Sequence, residues 1–296
     1  PTEPGIKGQY SDEFSLGVEL EPVQNLSVSA KWIYRSLKRV IEDGGTLTSD
    51  GTLAYFIFNP GTTFIDPLDP NHPLVGLDYV DTPPKRYYKA IQLSAQKRFN
   101  NRLQFIASYT WSKLEGNYDG VFQTSTTQLD PNINSAFDYR VFLENAYGYL
   151  SNDRRHTVKV DGSYVTPFGL QVGLSAYYFT GTPLTERGYF NLYRNYELYL
   201  SPRGTVGRTP DVYEADLHLG YEIPLGKVNV MIGADIFNLL NLQRTLQQDE
   251  RRDVSQGSST DDPVHIGDPG PANNSYLSAI SFTGRRTVRL NARVSF

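Results

Sequence analysis

The chain contains no cysteine in 296 residues, so neither a disulfide framework nor a thiolate metal site can form. It has no apolar run near the roughly 18 to 20 residues of a membrane-spanning helix. That excludes helical spans only. In a barrel strand just every second residue faces lipid, so the average hydropathy stays low. Neither sign of charge dominates, with 28 Lys and Arg against 32 Asp and Glu. The formal net charge is −4, which gives no electrostatic reason to expect nucleic acid or an acidic partner. The four histidines (His72, His156, His218 and His265) lie one to a segment. There is no glycine-rich phosphate loop, serine-nucleophile elbow or zinc-type His-Glu pair. The chain therefore reads as no enzyme, with no cofactor and no metal. It begins at Pro1 without Met or a signal peptide.

What is abundant is aromatic surface, with 21 Tyr and 15 Phe, and alternation. Period-two patterns mark strands over residues 14–20, 26–35, 91–99, 103–111, 156–164, 170–178, 215–223, 228–236 and 288–296. Four connections are short: a five-residue link over 21–25, Asn100-Asn101-Arg102, Pro167-Phe168-Gly169 and Pro224-Leu225-Gly226-Lys227. The other four, near 43–84, 115–153, 181–212 and 238–284, are far longer than loops in compact soluble domains. The first carries an apolar patch at 55–58 that suits a small hairpin of its own. Short turns strictly alternating with long loops is the asymmetry of an outer-membrane barrel, with short periplasmic turns and long extracellular loops.

The two faces differ in chemistry. One is apolar and carries rings at two levels. Phe99, Tyr164, Tyr221 and Phe296 lie near the short turns, and Trp32, Tyr34, Tyr109, Trp111 and Tyr178 near the long loops. Two such levels suit the two interfacial girdles of a membrane. The competing reading makes them core rings of a β-sandwich, but in a sandwich the long connections should not all fall on one side. The other face carries Glu19, Lys31, Arg35, Gln92, Gln96, Gln104, Asp216, His218, Glu222, Asp235, Arg289 and Arg293. It suits a watery lumen, or a lumen filled by a polar plug. Nine is odd, whereas single-chain bacterial barrels have even counts. The expectation is an all-β, antiparallel transmembrane β-barrel, present here as an incomplete section of about 9 strands.

Four stretches carry a family likeness: Tyr10-Ser11-Asp12-Glu13-Phe14-Ser15-Leu16-Gly17; Asn152-Asp153-Arg154-Arg155-His156, leading to Thr166-Pro167-Phe168-Gly169 and Phe179-Thr180-Gly181-Thr182-Pro183; Asp235-Ile236-Phe237-Asn238-Leu239-Leu240-Asn241; and the strand ending in Phe296. The chain resembles the carboxyl-terminal barrel portion of TonB-dependent outer-membrane receptors, above all the Oar-like group with a carboxypeptidase-regulatory-like domain. The resemblance implies a barrel of about 22 strands, with the plug domain, TonB box and N-terminal strands outside residues 1–296. It also implies partners: outer-membrane lipid and lipopolysaccharide, an unknown extracellular ligand, and the TonB complex acting through the plug.

Other candidate sites each have a plainer reading. Arg154 and Arg155 before His156 suit a strand start at the outer rim, pairing with carboxylates or lipopolysaccharide phosphates. Asp66, Asp69, Asp261, Asp262 and Asp268 form acidic loop clusters that could take calcium, but they lack the ordered spacing of a calcium loop, and solvated loop is the simpler account. Asp249-Glu250-Arg251-Arg252 reads as a solvated charged loop. Val288, Leu290, Ala292, Val294 and Phe296 resemble the terminal signal of the barrel-assembly machinery, read by strand pairing. Three functions follow in order: active uptake of a nutrient or siderophore-like ligand, a passive porin or adhesin-like barrel, and a soluble β-rich binding module.

Overall fold

The computed structural model describes residues 2–47, 53–61, 82–122, 130, 134–190, 193, 195–253 and 272–296. Nine long strands form one antiparallel sheet in chain order. They are β1 (Tyr10–Val23), β2 (Leu26–Lys38), β3 (Arg86–Asn100), β4 (Leu103–Gly116), β5 (His156–Val165), β6 (Leu170–Phe179), β7 (Val212–Leu225), β8 (Val228–Phe237) and β9 (Thr287–Ser295). Every strand expected from the alternation is present, and each pairs with its sequence neighbours. β1 and β9 do not pair with each other, so the sheet is an open section of barrel wall.

Register explains why the two faces stay distinct. The side-chain period is two, so a one-residue slip would exchange the faces. The pairs Leu103–Tyr164, Tyr164–Val172, Val172–Leu219, Leu219–Ala234 and Ala234–Leu290 make one apolar row across six strands. The row beside it, Gln104–Ser163–Gly173–His218–Asp235–Arg289, is polar from end to end. The apolar face has no cover. Leu16 is 76% exposed and Leu290 79%, and among the described residues the remaining sheets are two-stranded. An apolar patch of this extent requires a hydrocarbon partner.

Three short turns are tighter than the pattern predicts. β1 runs on to Val23, which pairs with Leu26 across a bulge, leaving only Gln24-Asn25 between the strands. Asn25 takes the left-handed conformation at φ +69°. β7 likewise continues through Pro224 and Leu225, and Gly226-Lys227 makes the turn with Gly226 at φ +70°. Proline ends neither strand within its ladder, because the left-handed residue that follows is what reverses the chain. Asn101-Arg102 has both residues left-handed, at +49° and +70°, the two-residue turn whose twist matches the flanking strands.

The buried core lies outside the wall. The first long connection folds into the hairpin Glu42–Leu47 with Leu53–Phe58, as the patch at 55–58 suggests. The second contains the 3-10 turns Ser135–Phe137 and Arg140–Leu143. The third pairs Arg187–Phe190 with Asn195–Tyr199, and the fourth pairs Thr245–Gln248 with Ala279–Phe282. Val40, Phe56, Phe58, Tyr118 and Phe137 pack as one buried cluster, and Tyr139, Phe142, Phe190 and Leu198 as another. The long connections therefore form a packed cap over one end of the wall.

Candidate functional site

The site is this cap together with the polar face below it. The second and third connections are joined by a buried ion pair, Arg203 with Asp119. Burial opposes both charges, yet the pairing wins: the Asp119 carboxyl is held below its usual range and the Arg203 guanidinium above its own. Arg203 N–H donates to the Asn145 carbonyl (2.9 Å), and its guanidinium lies over the Tyr199 ring at 5.2 Å. Gly148 lets these segments meet, since a Cβ there would sit 2.1 Å from the Arg203 carbonyl oxygen.

A second knot sits where cap meets wall. Asp153 is fully buried. Its Oδ1 accepts from Leu114 N–H (2.6 Å), and its carboxylate pairs with Arg155 (3.4 Å) and Arg208. Arg154 donates to the Thr180 carbonyl (2.8 Å), and Arg208 to that of Gly181 (2.8 Å). Arg155 also lies 5.9 Å over Trp111 and 5.0 Å over Tyr149. The rim arginines thus pair inward with a carboxylate and carbonyls. Gly181 is required for packing: a Cβ there would fall 1.6 Å from the Thr209 carbonyl oxygen. His156 binds the Tyr109 hydroxyl through Nδ1 at 2.9 Å and stacks on that ring.

Asp249 and Glu250 require a correction: their carboxyls are not solvated, although the Arg251 side chain beside them stays exposed. Asp249 is 2% exposed and takes two bonds from Arg251, at 2.8 and 2.7 Å. These bonds hold its carboxyl below the usual range. Glu250 accepts from Thr185 N–H through Oε1 (2.5 Å) and from Arg187 N–H through its carbonyl (2.8 Å). Burial pushes its carboxyl up, against the pull of Arg187. A run of four charges looks solvent-facing; here its acidic half stitches the fourth connection to the third. The Asn238 segment has a related role. Asn238, at φ +50°, donates to the Leu242 and Gly284 carbonyls at 3.0 and 2.8 Å, and Arg286 N–H donates to Asn241 Oδ1 at 3.1 Å. The motif therefore clamps the two ends of the fourth connection.

On the polar face, Asp235 binds His218 Nδ1 at 2.6 Å and Arg289 Nε at 2.9 Å. Ser175 donates to Asp161 (2.6 Å), and Asp216 accepts from Asn238 N–H (2.8 Å). A cavity of about 680 Å³ opens here, lined by Gln96, Gln104, Asp161, Ser175, Asp216, His218 and Asp235 together with the apolar Phe99, Ile106, Leu174 and Phe237.

On the opposite face Trp32 stacks on Tyr34 with ring centroids 6.4 Å apart, and the Tyr178 hydroxyl donates to Asp211 (2.6 Å). Phe99, Tyr164 and Tyr221 are exposed there, as are Val288, Leu290 and Val294 of β9 and the terminal Phe296. Asp66, Asp69, Asp261, Asp262, Asp268, His72 and His265 lie outside the described residues. Among the described residues no three His, Asp or Glu side chains are placed to hold a metal ion. Sequence reading missed Arg203, Asp119 and Glu42. All three come from aperiodic segments, and only their partners make them informative.

Known proteins resemble this chain in sequence and fold. A family model described as an outer membrane beta barrel domain matches residues 2–181. The TonB-dependent transporter Oar of Myxococcus xanthus is 31% identical over 324 aligned positions, covering 100% of this chain and 29% of that protein. The chain thus spans under a third of its relative's length. The outer membrane transporter YddB from Escherichia coli superimposes on 97% of the chain and 33% of its own, with a TM-score of 0.58 at 13% identity. The pyoverdine outer membrane receptor FpvA from Pseudomonas aeruginosa PAO1 does so over 98% and 30%, with a TM-score of 0.53 at 13% identity. These two likenesses establish the fold.

Proposed function

The chain belongs to the outer-membrane β-barrel family of TonB-dependent transporters, and on that premise we propose that it supplies wall and outer loops for active uptake of a nutrient or siderophore-like ligand. It is a protein of the Gram-negative outer membrane. The relatives it matches are named as transporters and receptors, not enzymes. In this reading residues 1–296 are the carboxyl-terminal part of a barrel of about 22 strands. The rest of the protein supplies the remaining strands, the plug, and the TonB contact that drives it.

The observation that carries the reading is the division of labour in one sheet. An uncovered apolar face, a polar face with a cavity, and long connections packed together at one end are the parts of a lipid-embedded wall beneath a ligand-binding mouth. Trp32, Tyr34, Tyr109, Trp111 and Tyr178 form the outer girdle, and Phe99, Tyr164, Tyr221 and Phe296 the periplasmic one. Lipopolysaccharide packs against the outer level. The β9 stretch Val288, Leu290, Ala292, Val294 and Phe296 offers the assembly machinery its pairing strand. Deleting Phe296 from the full protein lowers the yield of heat-modifiable, membrane-inserted barrel; an undiminished yield counts against that role.

Uptake is tested on cells expressing the full protein, with ferric siderophores, cobalamin, oligosaccharides and peptides as probes. Accumulation of one probe class stops when TonB is inactivated or the proton-motive force is collapsed. Accumulation indifferent to both sinks the proposal and favours a passive channel.

A further inference from the structure

Four carboxyl groups meet where three of the long connections join: Glu42 and Asp43 from the first, Asp138 from the second and Glu197 from the third. Their exposures are 0, 6, 4 and 6%. The donors that reach them are mostly neutral. Asn134 gives Glu42 its backbone N–H (3.1 Å) and side-chain amide (2.6 Å), the Tyr193 hydroxyl binds Asp138 (2.6 Å), and Ser135 and Asn195 bind Glu197 (2.5 and 2.8 Å). The hairpin strand that carries Glu42 and Asp43 packs against the 3-10 turn that Asp138 ends. Tyr55 and Tyr118 close in from the first and second connections, and Tyr139 packs on the Tyr193 ring. Among the described residues the cations that approach are Arg187, acting on Glu197, and Arg86, which donates to the Tyr118 carbonyl at 3.4 Å. Asp43 Oδ1 and Asp138 Oδ1 are buried, and among the described residues neither has a hydrogen-bond partner.

Four ionised carboxylates buried this close together would repel one another and lack solvation. We propose that the cap is held together by protons retained on these carboxyls, and that their loss in alkaline medium frees the first connection from the second and third. The shifts agree in direction. Burial is the leading cause for each: it pushes Glu42 up to about 8 and Asp43 up to about 6, and raises Asp138 and Glu197 as well. The sign follows from linkage. The closed junction binds protons that the opened, hydrated one releases, so the stability contributed by these four carboxyls is full below the ordinary carboxylate range. It is lost as pH rises from there toward about 8. Opening grows by about tenfold per pH unit for each proton released. This inference rests on the cap's geometry and does not depend on what the protein transports.

Hydrogen exchange on the full protein in lipid nanodiscs tests it, with rates corrected for the intrinsic effect of pH. Between about pH 6 and about pH 9, protection over 42–47, 134–143 and 195–199 falls by at least about tenfold, while 170–179 in the wall stays within about twofold. In Glu42→Gln with Asp138→Asn, two of the carboxyls are permanently neutral and the fall shrinks below about threefold. Equal protection at both pH values, or an undiminished fall in the variant, overturns the proposal. So does recovery at alkaline pH on adding millimolar calcium, which would mark a cation-held junction. If the double variant does not assemble, the wild-type series with and without calcium decides the question.

Discussion

Wall and cap are built on opposite principles within one chain. The wall repeats one plan nine times and leaves its large side chains exposed, because lipid covers them. Leu16, Leu174 and Leu290 all face outward. The cap repeats nothing and buries its rings: Phe58, Phe137 and Phe142 are each 1% exposed. The wall keeps charge on its watery face, where Arg35 and Glu13 meet in the open. The cap takes charge inside and must pair it or leave it protonated. Order in the wall follows from hydrogen-bond register, and order in the cap from side-chain packing. The two regions should therefore fail separately.

The largest expected effect is in the cap. Phe142→Ala removes a ring packed among Tyr139, Phe190 and Tyr193. It costs the cap about 3–5 kcal/mol, read as protease cleavage within 134–199 while heat-modifiable mobility persists. Loss of both together would erase the distinction. Asp119→Ala is of similar size, about 3–5 kcal/mol, because it strands a buried guanidinium. Replacing Arg203 with Met in that background recovers much of the loss. Acid acts the same way on this pair: since the Asp119 carboxyl is held low, its stabilisation is present at neutral pH and lost below the ordinary carboxylate range.

In the wall, Leu217→Arg places charge against hydrocarbon and costs about 2–4 kcal/mol in urea titrations of vesicle-inserted protein. Ser175→Arg on the polar face stays within about 0.5 kcal/mol. Equal costs at the two positions would mean that the apolar face is not in lipid. Arg35→Ala, which breaks an exposed pair, changes stability by about 0–1 kcal/mol.

The wall was legible because its information is local and repeated. The alternation of Leu170, Val172, Leu174, Ala176 and Tyr178 identifies a strand, its faces and its extent without knowledge of any neighbour. Only strand ends were misjudged: β2, β3 and β4 run on to Lys38, back to Arg86 and on to Gly116, and at Pro22 and Pro224 proline suggests a break while the left-handed Asn25 and Gly226 make the turn. The motif at 152–156 was visible, but its purpose was not. Asp153 matters through Leu114 and Arg208, which lie 39 and 55 residues away. Asp249 and Glu250 were read as solvated because burial is not written in a charge pattern.

By itself, the amino-acid sequence determined nine strands, their order, the two faces and the alternation of short and long connections, since a period of two acts within each strand. Tertiary structure alone decided that the long connections pack into one cap, that Arg203 and Asp119 pair in its interior, and that Glu42, Asp43, Asp138 and Glu197 share one dry junction. Those outcomes depend on which distant segments exclude water from one another, and no local periodicity encodes that.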